Sequence, residues 1–328
     1  MTQAPLANTR LGPGAESDMI RGIWRRIGSR GGIGEGRIEG MDGPGDDCAF
    51  FSVGDSRLAI SSDLSIEGTH FRAGWIEPDE IGWRAAMAAL SDLAAVAANP
   101  LGVMVSLGVS HEQPPDLTAD VMAGVAEASA VLGAAVWGGD LVEHDRLVID
   151  VTVVGMLEGS PLLRTGATVG DTLFVTGKLG GPASAVAAWE SRREPSAAAR
   201  SRFARPVARI REALWLRERG VRAAIDLSDG LLADARHLAA ASQVACVLDL
   251  DAVPVHPGGY DGGARRAMTS GEEYELLVAM EDDEAVAADF ADEFGMPLTR
   301  VGRVAAGSGV RVMQGNEVVT DLDAFTHF

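Results

Sequence analysis

The sequence is poor in cysteine, in positive charge and in long apolar runs. Its 328 residues include only two cysteines, Cys48 and Cys246, which lie far apart and form no CxxC pair. This usage argues against a disulfide framework and a thiolate zinc site, and it predicts a reducing cytoplasm. The most apolar long stretch, residues 93–109, is interrupted by Asn99-Pro100. It falls short of the roughly 20 consecutive apolar residues that a membrane-spanning helix needs.

Lysine and arginine together number 28, whereas aspartate and glutamate number 47, so the formal net charge is −19. A chain this acidic repels nucleic acid and anionic membranes, and neither is expected as a partner. If the protein handles phosphates, metal ions are expected to mediate the contact. The segment TGKLGGP does not meet the GxxxxGK[ST] pattern of a Walker A loop. The sequence also lacks GxGxxG, GxSxG and HExxH motifs, which argues against dinucleotide, serine-hydrolase and zinc-protease chemistry.

Apolar runs punctuated by glycine alternate between β-branched and alanine-rich segments, which is typical of an α/β fold. The length suits two domains, each able to bury its own core. We predict a disordered lead-in over residues 1–18, without the apolar region of a signal peptide. An N-terminal domain over residues 19–159 and a C-terminal domain over residues 160–328 are expected to follow.

The pattern also places the individual elements. In the first domain it predicts a hairpin over 50–63, a helix from Pro78 to about Ala98, a strand over 101–109, a helix from Leu117 to Leu132 and a strand over 146–157. In the second domain it predicts strands over 171–177, 245–251 and 274–280, and helices over 180–190, Pro206 to Arg219 and Ser228 to Ala241. Residues 190–206 are expected to form an exposed loop or a short helix.

Aspartates recur among small residues where apolar elements end. They are Asp46-Asp47 after a Gly-Pro-Gly turn, Asp63 in SSD, Asp92 in LSD, Asp140 in GGD, and Asp226 and Asp229 in DLSDG. Asp46-Asp47 alone fits a solvated turn, and Ser228 or Asp229 fits a helix N-cap. Asp92 fits neither, because it lies within a nearly apolar helix and an unpaired carboxylate there would cost several kcal/mol. Oxygen ligands on rigid strand ends are typical of a Mg²⁺ cluster.

A series of motifs runs in order along the chain: GDD, SSDxxxEGxHF, LSDLAA, GGD, RTGAxxGD, VTGxLG, IDLSDGL, SGEEYEL and a closing HF. From about Gly45 to Phe328 this series resembles the thiamine-monophosphate kinase family of the aminoimidazole-ribonucleotide-synthetase-like superfamily. The resemblance implies a two-domain α/β protein that dimerises through its N-terminal sheets. It also implies that ATP and several Mg²⁺ ions bind between the domains, and that ATP phosphorylates thiamine phosphate to thiamine diphosphate.

The resemblance further implies roles for single residues. The implied metal ligands are Asp47, Ser61, Ser62, Asp63, Asp92, Asp140, Asp226 and Asp229. The implied ATP contacts are Gly139, Asp140, Arg164 and Ser228, and the aspartates expected to act in catalysis are Asp63, Asp92, Asp140 and Asp229. The implied contacts to thiamine phosphate are His70 and Glu272, with Leu322 and Phe325 in the tail.

Several alternatives stay open at this stage. A lone histidine such as His70 is more often structural, and Leu322 and Phe325 could instead dock the C-terminus onto the second domain. Glu273 stands where the family usually has Asp, so the role of that position is uncertain. The alternative functions are an aminoimidazole ribonucleotide synthetase-like ATP-dependent ligase and a non-catalytic nucleotide-binding relative.

Overall fold

The computed structural model describes residues 11–28, 45–114, 116–258 and 262–322. Within these residues the chain forms a mixed α/β structure with two β-sheets, which confirms the predicted fold class. No helix in the described ranges combines the length and the apolarity needed to cross a membrane. A first helix, α1 (Ala15–Gly28), begins inside the segment that we predicted as a disordered lead-in.

The first sheet has five strands in the order β1-β2-β5-β3-β4. Neighbouring strands are antiparallel except for β3 and β4, which run parallel. The strands are β1 (Ala49–Val53), β2 (Ser56–Ile66), β3 (Asn99–Val109), β4 (Ala135–Glu143) and β5 (Val148–Leu157). The predicted hairpin over 50–63 corresponds to β1 and β2.

Two helices cover one face of this sheet, α2 (Pro78–Ala95) and α3 (Leu117–Val131). Side chains alternate between the faces of a strand, and β5 shows this clearly. Val151 and Val153 are fully buried on the helix-covered face, whereas Asp150 and Thr152 are only half-buried on the other. We call this second, helix-free face the outer face of the first sheet.

The second sheet has seven strands in the order β12-β11-β8-β10-β6-β9-β7. Its strands are β6 (Thr172–Thr176), β7 (Ala223–Asp226), β8 (Ala245–Asp249), β9 (Leu276–Met280), β10 (Leu298–Ala305), β11 (Gly309–Gln314) and β12 (Glu317–Val319). The helices of this half are α4 (Gly181–Glu190), α5 (Ala197–Ala204), α6 (Ile210–Glu218), α7 (Leu231–Ser242), α8 (Gly263–Met268) and α9 (Glu284–Phe294). The proposed boundary between residues 159 and 160 falls in the connection from β5 to β6.

The predicted elements differ from the structure mainly at their ends. Helix α2 ends at Ala95 because β3 already begins at Asn99, and helices α6 and α7 start three or four residues later than the pattern predicts. The segment over 190–206 contains α5. We did not predict β4, whose Gly138-Gly139 pair interrupts the β-branched pattern, nor β7, α8, α9 and β10 to β12.

Helix α2 connects the two halves of the molecule. Pro78 occupies its first turn, and the backbone N–H of Glu77 bonds the carboxylate of Glu80 at 2.9 Å, which closes a capping box. Nearly all of its side chains are buried, and they pack against the first sheet, α3, α5, α6 and β7. The indole Nε1 of Trp83 donates to the carbonyl of Pro206 at 2.7 Å. One hydrophobic core therefore runs through α2 into the second half.

Helices α2 and α3 approach closely because glycines face each other's backbones. A Cβ added at Gly124 would lie 1.8 Å from the carbonyl oxygen of Asp79. We expect Gly124→Ala to lower the free energy of unfolding by about 1–3 kcal/mol, since the helices must move apart. Urea denaturation measures the change. Gly22→Ala on α1 is the control, because nothing lies within 4 Å of its Cβ position; equal stabilities for the two variants would contradict the tight packing.

Candidate active site

Three carboxylates converge where the two halves meet. Oxygens of Asp47, Asp92 and Asp226 all lie within 4.8 Å of one another. Asp47 precedes β1, Asp92 lies on α2, and Asp226 ends β7. We call these three residues the acidic cluster. Carboxylate oxygens at this spacing suit a hard divalent cation such as Mg²⁺, so the donor set fits the ion that we predicted.

Serine hydroxyls hold two members of the acidic cluster in place. Ser61 Oγ donates to Asp92 Oδ2 at 2.5 Å, and Ser91 Oγ donates to Asp226 Oδ2 at 2.7 Å. Burial, followed by the charges of Asp226 and Asp47, raises the pKa of Asp92 well above its ordinary value. Burial and the charge of Asp47 raise the pKa of Asp226 to about 8. Without a metal ion, burial and mutual repulsion therefore disfavour the ionised forms of both carboxylates.

The adjacent pair Asp46-Asp47 binds Arg164 from two sides. The Arg164 side chain forms a bidentate ion pair with Asp47, its Nε donating to Oδ2 at 3.1 Å, while the Arg164 backbone N–H donates to Asp46 Oδ2 at 3.1 Å. Burial lowers the pKa of Arg164, but the charge and hydrogen bond of Asp47 more than reverse this effect, so that pKa is raised. Burial, then the charge of Asp47, raises the pKa of Asp46 to about 7. A solvated turn does not describe this pair.

A cavity of about 440 Å³ adjoins the acidic cluster, and its walls come from both halves of the chain. Among the residues that we predicted for the site, it is lined by Ser62, Asp63, His70, Asp92, Asp226, Ser228, Asp229 and Glu272. Burial raises the pKa of Asp63, and the charge of His70 opposes this rise. His70 Nδ1 accepts the backbone N–H of Ile66 at 3.0 Å, so the neutral ring carries its proton on Nε2.

Two of the predicted site residues, Ser62 and Asp140, lie on the outer face of the first sheet. Ser62 Oγ contacts Asp150 Oδ1 at 2.7 Å and Thr152 Oγ1 at 3.0 Å on that face. Asp140 lies on edge strand β4, opposite Ser106 of β3, and its side chain is exposed. Three strand spacings separate β4 from β2, about 14 Å, so one chain does not bring Asp140 beside Asp63.

Gly139 has a clear structural reason to be glycine. A Cβ at this position would lie 1.6 Å from the carbonyl oxygen of Val105. The GGD motif therefore allows β4 to lie against β3, whatever else it contacts.

The loop DLSDG is held by an aspartate that sequence reasoning missed. Asp234 Oδ2 accepts the backbone N–H of Gly230 at 2.9 Å and that of Asp229 at 3.2 Å. The N-cap of α7 is Gly230, so neither Ser228 nor Asp229 caps this helix. Both residues line the cavity instead.

The segment SGEEYEL directs its acidic side chains to different places. Glu272 lines the cavity and forms an ion pair with Arg84. Glu273 is fully buried, and its Oε1 accepts the backbone N–H of Gly180, while burial raises its pKa to about 7. Glu275 is bound by Arg202 and Arg209. The longer side chain at 273 thus makes a structural contact with the turn before α4.

The tail residues differ in what the structure describes. Leu322 is partly buried against the hydrophobic core of the second sheet and does not line the cavity. This position matches the docking alternative for Leu322. Phe325 lies outside the described residues, so its contact with the substrate stays a prediction.

Several site residues have no sequence signal of their own. Ser91 bonds Asp226, which is 135 residues away in the chain, and Arg84 pairs with Glu272, which is 188 residues away. Asp234 bonds the nearby backbone of Asp229 and Gly230. Ser91 was at least part of the LSD motif. Arg84 lies in an apolar helical stretch, where a buried arginine is unusual and requires a partner, and that was the available signal.

Family models match both halves of the chain. Residues 45–157 match the N-terminal domain of AIR synthase related proteins, and residues 168–315 match the C-terminal domain. The chain therefore belongs to the AIR synthase related protein family.

The similar proteins include thiamine-monophosphate kinases. The enzyme of Mycobacterium tuberculosis strain H37Rv is 33% identical over 84% of this chain and 82% of its own length. A crystal structure of the enzyme from Stenotrophomonas maltophilia K279a is 31% identical with a TM-score of 0.73, covering 88% of this chain and 94% of that one. The structure of AaThiL complexed with AMPPCP and TMP has a TM-score of 0.80 at 25% identity, covering 97% of both chains.

We expect metal binding to relieve the repulsion within the acidic cluster. In the metal-free protein the pKa values of Asp46 (about 7) and Asp226 (about 8) exceed 3.8, their ordinary value. Stability should therefore fall as pH rises from about 4 to about 8, where these folded carboxylates lose their protons. In EDTA the melting temperature should drop between pH 6 and pH 8.5, and saturating Mg²⁺ with a non-hydrolysable ATP analogue should raise it more at pH 8.5.

The control for this melt is Asp226→Asn, which should show a shallower decline in EDTA because one ionisable group is gone. A wild-type melting temperature that is constant over this pH range, or that Mg²⁺ leaves unchanged, would contradict the repulsion.

Proposed function

We propose that this protein transfers the γ-phosphoryl group of ATP directly to thiamine phosphate, giving ADP and thiamine diphosphate. The observation that carries the proposal is the cavity that adjoins the acidic cluster and is also lined by His70 and Glu272. The similar structure of AaThiL supports it, because that protein is complexed with AMPPCP, an ATP analogue, and with TMP on the same fold. The proposed class is a phosphotransferase with a phosphate group as acceptor, acting in thiamine diphosphate biosynthesis.

The chemistry places modest demands on the protein's own side chains. The attacking atom is a phosphate oxygen that is already ionised near neutral pH, so no strong general base is needed. Bound Mg²⁺ would neutralise and align the phosphates of donor and acceptor. Asp47, Asp92 and Asp226 would hold the ions with Ser61 and Asp63, and Asp229 lies beside them. His70 lines the same cavity, where we propose that it contacts the acceptor.

Arg164 has a different proposed role from the ATP contact implied by the resemblance. Its side chain is only 18% exposed and its guanidinium is bound by Asp47. We propose that its positive charge stabilises the acidic cluster and acts on ATP phosphates through space. Within one chain, Ser228 is the proposed direct contact with ATP, because it is exposed in the cavity wall.

The outer face of the first sheet supports a homodimer. It carries exposed apolar side chains, including Leu64, Met104 and Trp137, which are 45%, 50% and 53% exposed. Such a patch on a sheet is typical of an interface. Asp140 lies on this face and about 14 Å from β2 of its own chain. We propose that the second subunit covers the face and that Asp140 and Gly139 reach a nucleotide only in this dimer.

The remaining predictions concern the cellular location of the protein and its partners. Cys48 and Cys246 are buried free thiols, as expected for a reducing compartment, and a cytoplasmic location stays a prediction. The charge of −19 supports the absence of nucleic-acid and membrane partners.

One assay tests the function. ADP release is measured with thiamine phosphate, thiamine and formylglycinamidine ribonucleotide as rival acceptors in the presence of Mg²⁺. We expect turnover with thiamine phosphate and formation of thiamine diphosphate, with the other two acceptors near background. Turnover with formylglycinamidine ribonucleotide instead would make the protein a ligase of the aminoimidazole ribonucleotide synthetase type.

We predict that Asp63→Asn and Asp92→Asn each lower kcat by about a hundredfold or more, because each removes a negative charge aimed at Mg²⁺. Both variants should keep the fold, since the amide has the same shape. Asp289→Asn is the control, because Asp289 is exposed on α9, and its kcat should match wild type. Near-normal turnover of either site variant would remove that residue from the metal-ligand set.

A further inference from the structure

Arg84 is an arginine in the buried middle of α2. The residue is only 3% exposed, and its guanidinium carbon lies 3.8 Å from the centroid of the Phe203 ring. Arg84 Nη1 donates to the carbonyl oxygen of Phe203 at 2.5 Å. These contacts fix the plane of the guanidinium, because a stacked and hydrogen-bonded arginine has few rotamers left. Its Nη2 then forms an ion pair with Glu272 Oε2.

Glu272 has a backbone conformation that residues with side chains rarely adopt. Its φ is +59°, and Tyr274 two residues later has φ +51°. Side-chain-bearing residues rarely adopt this left-handed region, so contacts from outside the segment must stabilise it. The backbone N–H of Glu272 donates to the carbonyl of Ser228 at 2.6 Å, which fixes the backbone. The carboxylate of Glu272 forms an ion pair with Arg84.

The three glutamates of this segment separate into two groups. Glu273 and Glu275 are 0% and 1% exposed and are bound within the protein. The Glu272 side chain is 27% exposed and borders the cavity. Of the three, only Glu272 can therefore meet a ligand, and the direction of its carboxylate depends on Arg84.

We infer that Arg84 is a positioning residue that aims the Glu272 carboxylate at the bound acceptor; this inference rests on the proposed function. Arg84 itself does not reach the cavity. It lies eight residues before Asp92 on one rigid helix, a rise of about 12 Å. Helix α2 therefore sets the distance between the acceptor-binding carboxylate and the acidic cluster.

The chemistry of the acceptor gives this position its purpose. Thiamine phosphate carries a cationic thiazolium ring and an aminopyrimidine with N–H donors, and both attract a carboxylate. A glutamate on a left-handed backbone without Arg84 would turn toward solvent. Methionine at 84 keeps most of the buried apolar stem but removes the charge and both donors.

The test compares Arg84→Met, Arg84→Lys and Glu272→Gln by steady-state kinetics and by calorimetric binding of thiamine phosphate. We expect Arg84→Met to raise KM and Kd for thiamine phosphate by about tenfold or more, as loss of a charge-assisted bond does. The KM for ATP should stay within about twofold of wild type. Arg84→Lys should recover part of the loss because it retains a positive charge.

A double-mutant cycle separates positioning from folding. In a Glu272→Gln background, Arg84→Met should add little to the Kd for thiamine phosphate, since the carboxylate that Arg84 aims is already gone. If Arg84→Met does not fold, Arg84→Lys and Glu272→Gln still test the inference, because each should weaken the binding of thiamine phosphate without weakening the binding of ATP. Equal increases in the KM values for ATP and thiamine phosphate, or full additivity in the cycle, would overturn the positioning role. A wild-type protein that binds thiamine phosphate but never phosphorylates it would instead overturn the proposed function.

Discussion

The repulsion among Asp47, Asp92 and Asp226 is the constraint on which the rest of the structure depends. Three carboxylates within 4.8 Å in a largely buried place would separate or lose their charges unless something opposed them. Among the described residues, one cation, Arg164, and two serine hydroxyls contact the cluster, and these do not balance three charges. Because these groups leave the balance negative, the cluster fits the divalent cations that we propose as its ligands, and through them phosphate groups.

Helix α2 makes that arrangement rigid. Its apolar surface is buried in both halves of the molecule, so its position is fixed by packing on all sides. The same helix carries Asp92, directs Ser91 to Asp226 and directs Arg84 to Glu272. A site built from several loops would need each loop to be positioned separately. Here one helix fixes the positions of Asp92, Asp226 and Glu272 relative to one another. The close approach of α3 at Gly124 serves the same rigidity.

The sequence predicted the regular elements of the first sheet and its helices better than those of the second sheet, and the reasons are local. The hairpin over 50–63, α2 and β5 follow from side-chain periodicity, and the motifs identified the aspartates that converge. The sequence did not predict β4, because Gly138 and Gly139 weaken a strand pattern although the backbone needs glycine there. It also missed Asp234, whose short-range bonds to Gly230 replaced the N-cap that Ser228 or Asp229 was expected to provide. Contacts such as Arg84 with Glu272 join distant positions, and no local pattern encodes them.

Two solutions to crowded carboxylates coexist in this protein. Behind the cavity, Glu275 is neutralised by Arg202 and Arg209, which are part of the protein and cannot leave. Beside the cavity, Arg164 is the cation that pairs with the acidic cluster among the described residues, and the metal ions that we propose to bind with the nucleotide would supply the remaining positive charge. Glu275, by contrast, is neutralised by the protein's own side chains, and it is only 1% exposed. The negative charge of the acidic cluster lies beside the cavity, where the proposed metal ions would offset it, so an overall charge of −19 is compatible with binding two anions together.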